Sequence, residues 1–165
     1  MRTLIAIDLQ NDFIDGSLGT PEAVAIIKNA ADKISEYSRR GDEIIFTRDT
    51  HESDYLSTQE GRLLPVAHCI RGTHGWQIRD GLDIPSALHI DKPTFGWTRW
   101  NEMRLEDVEI IGLCTDICVV SNALIIKAMF PDINITVDSA CCAGVTPESH
   151  AAALQTMKMC QINVI

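Results

Sequence analysis

Short apolar segments alternate with amphipathic helical patterns along the chain, and this alternation limits the fold more than any other feature of the sequence. The apolar runs are typical of buried strands and fall at 4–7, 43–47, 88–90, 108–113, 134–137 and 162–165. Helical patterns cover 21–40, which Gly41 ends, 116–129, which Pro131 closes, and a last segment that Thr146 and Pro147 open. The alternation predicts a three-layer α-β-α fold with a mostly parallel, Rossmann-like six-stranded sheet.

The length of the chain predicts one domain over residues 1–165, because 165 residues fill one hydrophobic core but not two. No run approaches the roughly 18 apolar residues that a membrane span needs, so we expect no membrane partner. Asp8 follows the first apolar run too soon for a signal peptide, which predicts a cytoplasmic location. Residues 50–85 form a long irregular insert, and such inserts in compact domains are usually functional.

The net charge and the cysteine content limit which partners and which kind of cysteine chemistry are expected. The net charge of -9, from 14 basic and 23 acidic residues, repels phosphate backbones, so we expect no nucleic-acid partner. The six cysteines of such a chain are better interpreted as thiols than as a disulfide framework. Cys114 and Cys118 lie four residues apart, and a redox pair there remains an alternative.

Ionisable residues follow the predicted strands and should meet at one edge of the sheet, where ligands bind in folds of this type. Asp8 ends the first strand, Lys92 follows the third, and Cys118 lies in the first turn of the helix after the fourth. A helix N-terminus is expected to lower the pKa of such a thiol. Asp8 could then accept the thiol proton, and Lys92 would favour the ionised forms of both.

A second set of polar residues suits a metal ion. Asp49 and His51 point the same way from an extended chain, and Glu60 and His68 come from the insert that must fold over the same edge. Carboxylates and imidazoles together suit Zn²⁺, Mn²⁺ or Fe²⁺. The sequence therefore predicts one divalent metal, zinc first, with Asp54 and His74 as spare ligands.

These segments, taken in order, resemble one known family. Asp8-Leu-Gln-Asn-Asp-Phe13, Asp49-Thr-His51, Lys92, Gly112-Leu-Cys-Thr-Asp-Ile-Cys118 and the segment after Pro147 are similar to motifs of the isochorismatase-like cysteine hydrolases, most closely their nicotinamidase branch. The resemblance runs over nearly the whole chain. It implies a hydrolase of small carboxamides that acts through a thioester, with nicotinamide as the leading substrate and NAD salvage as the setting.

The resemblance also implies roles for individual residues. Asp8, Lys92 and Cys118 would be the catalytic triad, and a cis peptide before Cys114 would direct the backbone amides of Cys114 and Cys118 into an oxyanion hole. The metal ligands would be Asp49, His51, Glu60 and His68. Phe13 would pack on the substrate ring. Leu64 stands where the family usually has an aromatic residue before the proline, so Trp97, or else Trp76, is expected to supply the missing wall.

Other functions remain open at this stage. Another amide hydrolase of the family, with a ureido or carbamoyl substrate, would keep the triad without a pyridine pocket, and isochorismatase chemistry would not need the cysteine. A non-enzymatic metal or redox protein, with Cys114 and Cys118 as sensors, is the alternative from a different class. A small acidic domain of this fold also predicts a homo-oligomer.

Overall fold

A six-stranded, entirely parallel sheet forms the centre of the protein, which the computed structural model describes over residues 2–165. Its strands are listed in chain order: β1 Thr3–Ile7, β2 Glu43–Asp49, β3 Leu88–Lys92, β4 Asp107–Leu113, β5 Asn134–Ala143 and β6 Asn163–Val164. They lie side by side as β3-β2-β1-β4-β5-β6. The predicted fold class is therefore confirmed, and the one difference is that no antiparallel strand enters this sheet in the described residues.

Helices cover both faces of the sheet. The helices in chain order are α1 Asn11–Ile14, α2 Pro21–Ala25, α3 Ile27–Arg40, α4 Gln59–Leu63, α5 Val120–Met129 and α6 Pro147–Met159. On one face, Ala30 and Ile34 of α3 pack with Leu4 and Phe46 of the sheet. On the other face, Ala123 of α5 and Met157 of α6 pack with strand residues that include Ile5 and Ile110. Within residues 2–165, no helix is both long enough and apolar enough to cross a membrane.

Two helical segments differ from the sequence prediction. The segment predicted as one helix over 21–40 is two, because the chain breaks at Ile26, after a short helix capped by the Thr20 side chain. The helix predicted to begin near Asp116 instead opens with a π-helical turn, Thr115–Val119, which runs directly into α5. The insert contains a single-turn 3₁₀ helix at Tyr55–Ser57 and α4, and it crosses back over the carboxyl edge of the sheet.

The strand order places a switch point between β1 and β4. The chain moves outward through β2 and β3 on one side of β1, and through β4, β5 and β6 on the other. In open parallel sheets, the crevice at such a point is where ligands bind, outside the carboxyl ends of the strands. Asp8 follows β1 and the Cys118 turn follows β4, so both residues lie at this crevice.

Candidate active site

A carboxylate, an ammonium group and a thiol meet at the switch point. Lys92 Nζ lies 2.6 Å from Asp8 Oδ2 and 3.5 Å from Cys118 Sγ, and all three side chains are buried. Asp8 has a φ of 48°, a left-handed conformation that aspartate adopts more readily than most residues. The Thr47 hydroxyl donates to Asp8 Oδ1 at 2.6 Å. The fold thus brings together three residues from the ends of three strands.

Burial governs the protonation of this triad. Burial raises the pKa of the Cys118 thiol well above its usual range; the Asp8 carboxylate adds to the rise and Lys92 only partly opposes it. This corrects the expectation that the helix N-terminus lowers the pKa, because the sulfur lies in an almost dry site beside a negative charge. Burial also raises the pKa of Asp8, against the opposing charge of Lys92. The resting thiol is therefore protonated and needs a base.

Lys92 stays positively charged in spite of its burial. Burial alone would lower its pKa, but the negative charges of Asp8 and Asp49 and the hydrogen bond to Asp8 outweigh that effect and raise the pKa above the usual lysine value. Its Nζ also lies 3.6 Å from Asp49 Oδ1. This second contact links the triad to the neighbouring carboxylate–histidine cluster.

The carboxylate–histidine cluster consists of the four predicted metal ligands, Asp49, His51, Glu60 and His68. One potential ligand atom from each lies within 4.8 Å of all the others. His51 Nε2 is 2.9 Å and His68 Nε2 is 3.5 Å from Asp49 Oδ2, and Glu60 Oε1 is 3.5 Å from His51 Nε2. Asp54 and His74, the spare candidates, are exposed and lie outside this group.

The donor atoms of the cluster fit a divalent ion. His68 Nδ1 can donate to the Val66 carbonyl oxygen, 2.8 Å away, so Nε2 faces the cluster, where it bonds to Asp49 when protonated and can offer its lone pair to an ion when it is not. Burial alone would raise the pKa of Asp49, but the hydrogen bonds from His51 and His68 and the charge of Lys92 hold it well below its usual range. Two imidazoles and two carboxylates suit Zn²⁺, Mn²⁺ and Fe²⁺ alike.

A turn of unusual geometry presents Cys118. The Leu113–Cys114 peptide bond is cis, as the resemblance implied. Gly112, with a φ of 120°, lies so close to β1 that any side chain would collide with the Ile7 carbonyl oxygen. The Cys114 carbonyl then accepts from the amides of Ile117 and Val119 at 3.1 and 3.0 Å. Both Cys114 and Cys118 are free thiols.

An apolar cavity of about 250 Å³ connects the thiol to the cluster. Its lining includes Cys118, Asp49, Glu60 and His68 together with apolar residues, among them Phe13, Leu18, Leu64, Phe95, Ile117 and Val145. Trp97 does not line it, which corrects the prediction for this residue: its ring packs edge-on against buried Trp100 with centroids 4.8 Å apart. Phe95, two residues earlier, lines the cavity instead. Trp76 is also elsewhere and donates to Thr50 Oγ1.

Three consecutive polar residues fasten the insert to the sheet edge, and the sequence analysis missed them. We call Gln10, Asn11 and Asp12 the 10–12 latch. Gln10 Nε2 donates to the Asp49 carbonyl at 2.9 Å and its Oε1 accepts from the Asp49 amide at 2.7 Å. The Asn11 side chain donates to the His74 carbonyl at 2.9 Å. Asp12 Oδ2 accepts from the Cys69 amide at 2.8 Å, directly beside His68.

Comparisons with known proteins agree with this architecture. The chain is 26% identical to the nicotinamidase of Saccharomyces cerevisiae, over 100% of this chain and 99% of the relative. The pyrazinamidase/nicotinamidase of Streptococcus mutans superposes with a TM-score of 0.86 at 28% identity, over 100% of both chains. The pyrazinamidase of Pyrococcus horikoshii, solved in complex with zinc, gives 0.84 at 28% identity, over 99% of this chain and 98% of its own.

The family assignment rests on the length of the match. The sequence model of the isochorismatase domain family matches residues 2–165. This range includes the triad, the carboxylate–histidine cluster and the cis peptide. The chain therefore belongs to the isochorismatase family.

Proposed function

We propose that this protein is a hydrolase of amide carbon–nitrogen bonds that converts nicotinamide to nicotinate and ammonia. The observation that carries the proposal is a buried ammonium that contacts both a carboxylate and a thiol, beside a carboxylate–histidine cluster, at one apolar cavity. Phe13 and Phe95 both line that cavity and suit a flat aromatic ring. Relatives named nicotinamidase and pyrazinamidase support the same substrate class.

The first half of the reaction forms a thioester. Asp8 takes the proton from Cys118 as the sulfur attacks the amide carbon, and Lys92 keeps Asp8 in place and offsets the negative charge. The backbone amides of Cys114 and Cys118 then stabilise the tetrahedral oxyanion, each by roughly 3 kcal/mol. Asp8 returns the proton to the nitrogen, the carbon–nitrogen bond breaks, and ammonia leaves.

The second half reverses these roles with water. Asp8 removes a proton from a water molecule that attacks the thioester, and the returning proton restores the Cys118 thiol as the carboxylic acid leaves. A divalent ion held by Asp49, His51, Glu60 and His68 would supply a Lewis acid for a ring nitrogen of the substrate. Phe13 and Phe95 orient the ring, so that its carboxamide reaches the sulfur.

Ammonia release from a short panel of amides tests the proposal. Nicotinamide should be the best substrate, and Cys118→Ala should lower its turnover at least about 10³-fold, because the nucleophile is lost. The matched control is Cys160→Ala, which removes an exposed thiol and should leave the rate unchanged. Turnover by Cys118→Ala at the wild-type rate would refute the mechanism.

The same panel separates the alternatives. Leu64 lines the cavity where the family usually has an aromatic residue, which favours a second candidate, a hydrolase of ureido or carbamoyl compounds. Faster hydrolysis of a ureido or carbamoyl compound than of nicotinamide would support this second candidate. A redox or metal-binding protein without activity would hydrolyse no member of the panel. In addition, iodoacetamide should label Cys118 in a manner that substrate prevents, which a purely structural thiol would not show.

A further inference from the structure

Asn122, in the first turn of α5, is a buried amide for which the mechanism has no role. Its side chain is fully buried and makes four hydrogen bonds. Nδ2 donates to the carbonyl oxygens of Phe95 at 3.1 Å and Cys118 at 2.8 Å. Oδ1 accepts from the Trp97 amide and from Trp100 Nε1, both at 2.9 Å. Two carbonyls on one side and two N–H groups on the other fix the orientation of the amide.

These four bonds join two parts of the active site that are distant in sequence. One is the turn that presents Cys118, and the other is the loop of residues 93–97, which carries the Phe95 wall of the cavity. The loop also packs directly on α5, because a side chain at Gly96 would overlap that of Ile125. The Phe95 side chain is about half exposed, so core packing does not hold it. Asn122 bonds both the Phe95 carbonyl and the Trp97 amide and so ties this backbone to α5, while Lys92 Nζ donates to the Thr94 carbonyl of the same loop at 3.3 Å.

We infer that Asn122 is a positioning residue that sets the distance between the Phe95 wall and the Cys118 nucleophile, and thereby the fit of the substrate ring. A single amide that holds the carbonyls of both residues makes the wall and the nucleophile move together. Its effect is transmitted through Phe95 and Cys118, and Asn122 itself does not line the cavity. The kinetic consequence rests on the proposed function, whereas the structural coupling does not.

Asn122→Asp tests the inference with almost no change of shape. The variant keeps an oxygen for the two N–H groups but turns a second oxygen toward the Phe95 and Cys118 carbonyls, which cannot bond to it when it is ionised. We expect KM for nicotinamide to rise about tenfold and kcat to fall by a similar factor, as the loss of a buried hydrogen bond implies. The control Trp100→Phe removes one bond on the opposite side of Asn122 and should change KM less than about twofold.

A double-mutant cycle with Phe95→Ala identifies the route of the effect. Without the ring there is no wall to misplace, so Asn122→Asp should alter KM less than about twofold in the Phe95→Ala background, while the fall in kcat persists. Additive effects on KM would overturn the inference. The inference would also fail if Trp100→Phe, at the same thermal stability as Asn122→Asp, showed the same rise in KM. The rise would then reflect general destabilisation of the protein.

Hydrogen–deuterium exchange gives a readout that needs no substrate. In Asn122→Asp, exchange of residues 93–97 should accelerate about tenfold relative to wild type and to Trp100→Phe, because the loop has lost its tie to α5. Unchanged exchange would overturn the inference even in an active enzyme. If wild type hydrolyses no amide, the proposed function fails, and the exchange result still decides whether Asn122 positions the loop.

Discussion

At the scale of single residues, Lys92 is a fully buried ammonium that contacts two carboxylates, Asp8 and Asp49. Lys92→Met removes the cation and leaves Asp8 and Asp49 buried without it. We expect the free energy of unfolding of the metal-free protein to fall by about 3–5 kcal/mol, the usual consequence of breaking a buried ion pair from one side. Urea unfolding at neutral pH in the presence of a chelator measures this change.

The double variant Asp8→Asn/Lys92→Met provides the control. It removes one of the two carboxylates that lose the ammonium, so it should be more stable than Lys92→Met alone, although Asp49 still lacks its contact with Lys92. A double variant at least as unstable as the sum of the two single changes would contradict the account, because the penalty would then come from lost packing and not from unpaired charge.

Several residues of the site could be predicted because strand ends converge. Asp8, Lys92 and Cys118 lie at or just beyond the ends of three strands, with Lys92 in contact with the other two. The expected cluster also forms, from Asp49, His51, Glu60 and His68. The chemical roles of all seven residues remain predictions. Phe95 could not be chosen over Trp97, because no periodicity exists in a five-residue loop. Thr47 did leave a signal: it lies two residues before Asp49 in β2, on the same face of the strand.

At the scale of elements, the 10–12 latch connects β1 to the insert that supplies the histidines. Gln10→Met keeps the volume of the side chain but removes its bonds to the Asp49 amide, the Asp49 carbonyl and the Trp76 carbonyl. We expect zinc affinity to fall about 10–100-fold, as losing a group that orients a ligand commonly does. Competition with a chromophoric chelator measures the affinity directly, without an assay of activity.

Destabilisation elsewhere provides the comparison for this prediction. Ile34→Val removes one methylene from the core under α3, in a residue outside both the cluster and the cavity lining, and should lower stability by about 1 kcal/mol while zinc affinity stays at the wild-type value. If Gln10→Met binds zinc as tightly as wild type, or if Ile34→Val weakens binding equally, the latch does not orient Asp49.

The elements that sequence reasoning missed share a physical cause. Strands and long helices carry a period, so the sheet and most helices were predictable, whereas the break at Ile26 and the π-helical turn before α5 are too short to leave a period of their own. Just before this turn, Gly112 approaches the Ile7 carbonyl of β1, a contact between residues that are distant in the sequence. No local pattern encodes such a contact.

At the scale of the whole molecule, the sheet and its helices bury cysteines whose thiols would ionise at alkaline pH if they were exposed to water. Burial raises the pKa of Cys114 and of Cys141 to about 12, and raises that of fully enclosed Cys142 further. A raised pKa in the folded state means that the unfolded chain releases protons first. The contribution of these thiols to folding stability is therefore fully present below the thiol pKa of the unfolded chain, which is near 9, and is lost as pH rises above that pKa.

The free energy of unfolding should therefore decrease between pH 8 and 10, under reducing conditions, with each buried thiol contributing up to about 1.4 kcal/mol per pH unit at the upper end. Cys142→Ala should reduce by about one the number of protons released on unfolding at pH 10, and the slope should fall in proportion. Cys160→Ala, which alters an exposed residue, should keep the wild-type slope. Urea unfolding at four pH values gives these slopes. If the slope of Cys142→Ala equals that of wild type, this thiol ionises equally in both states, and burial in the sheet does not suppress its ionisation.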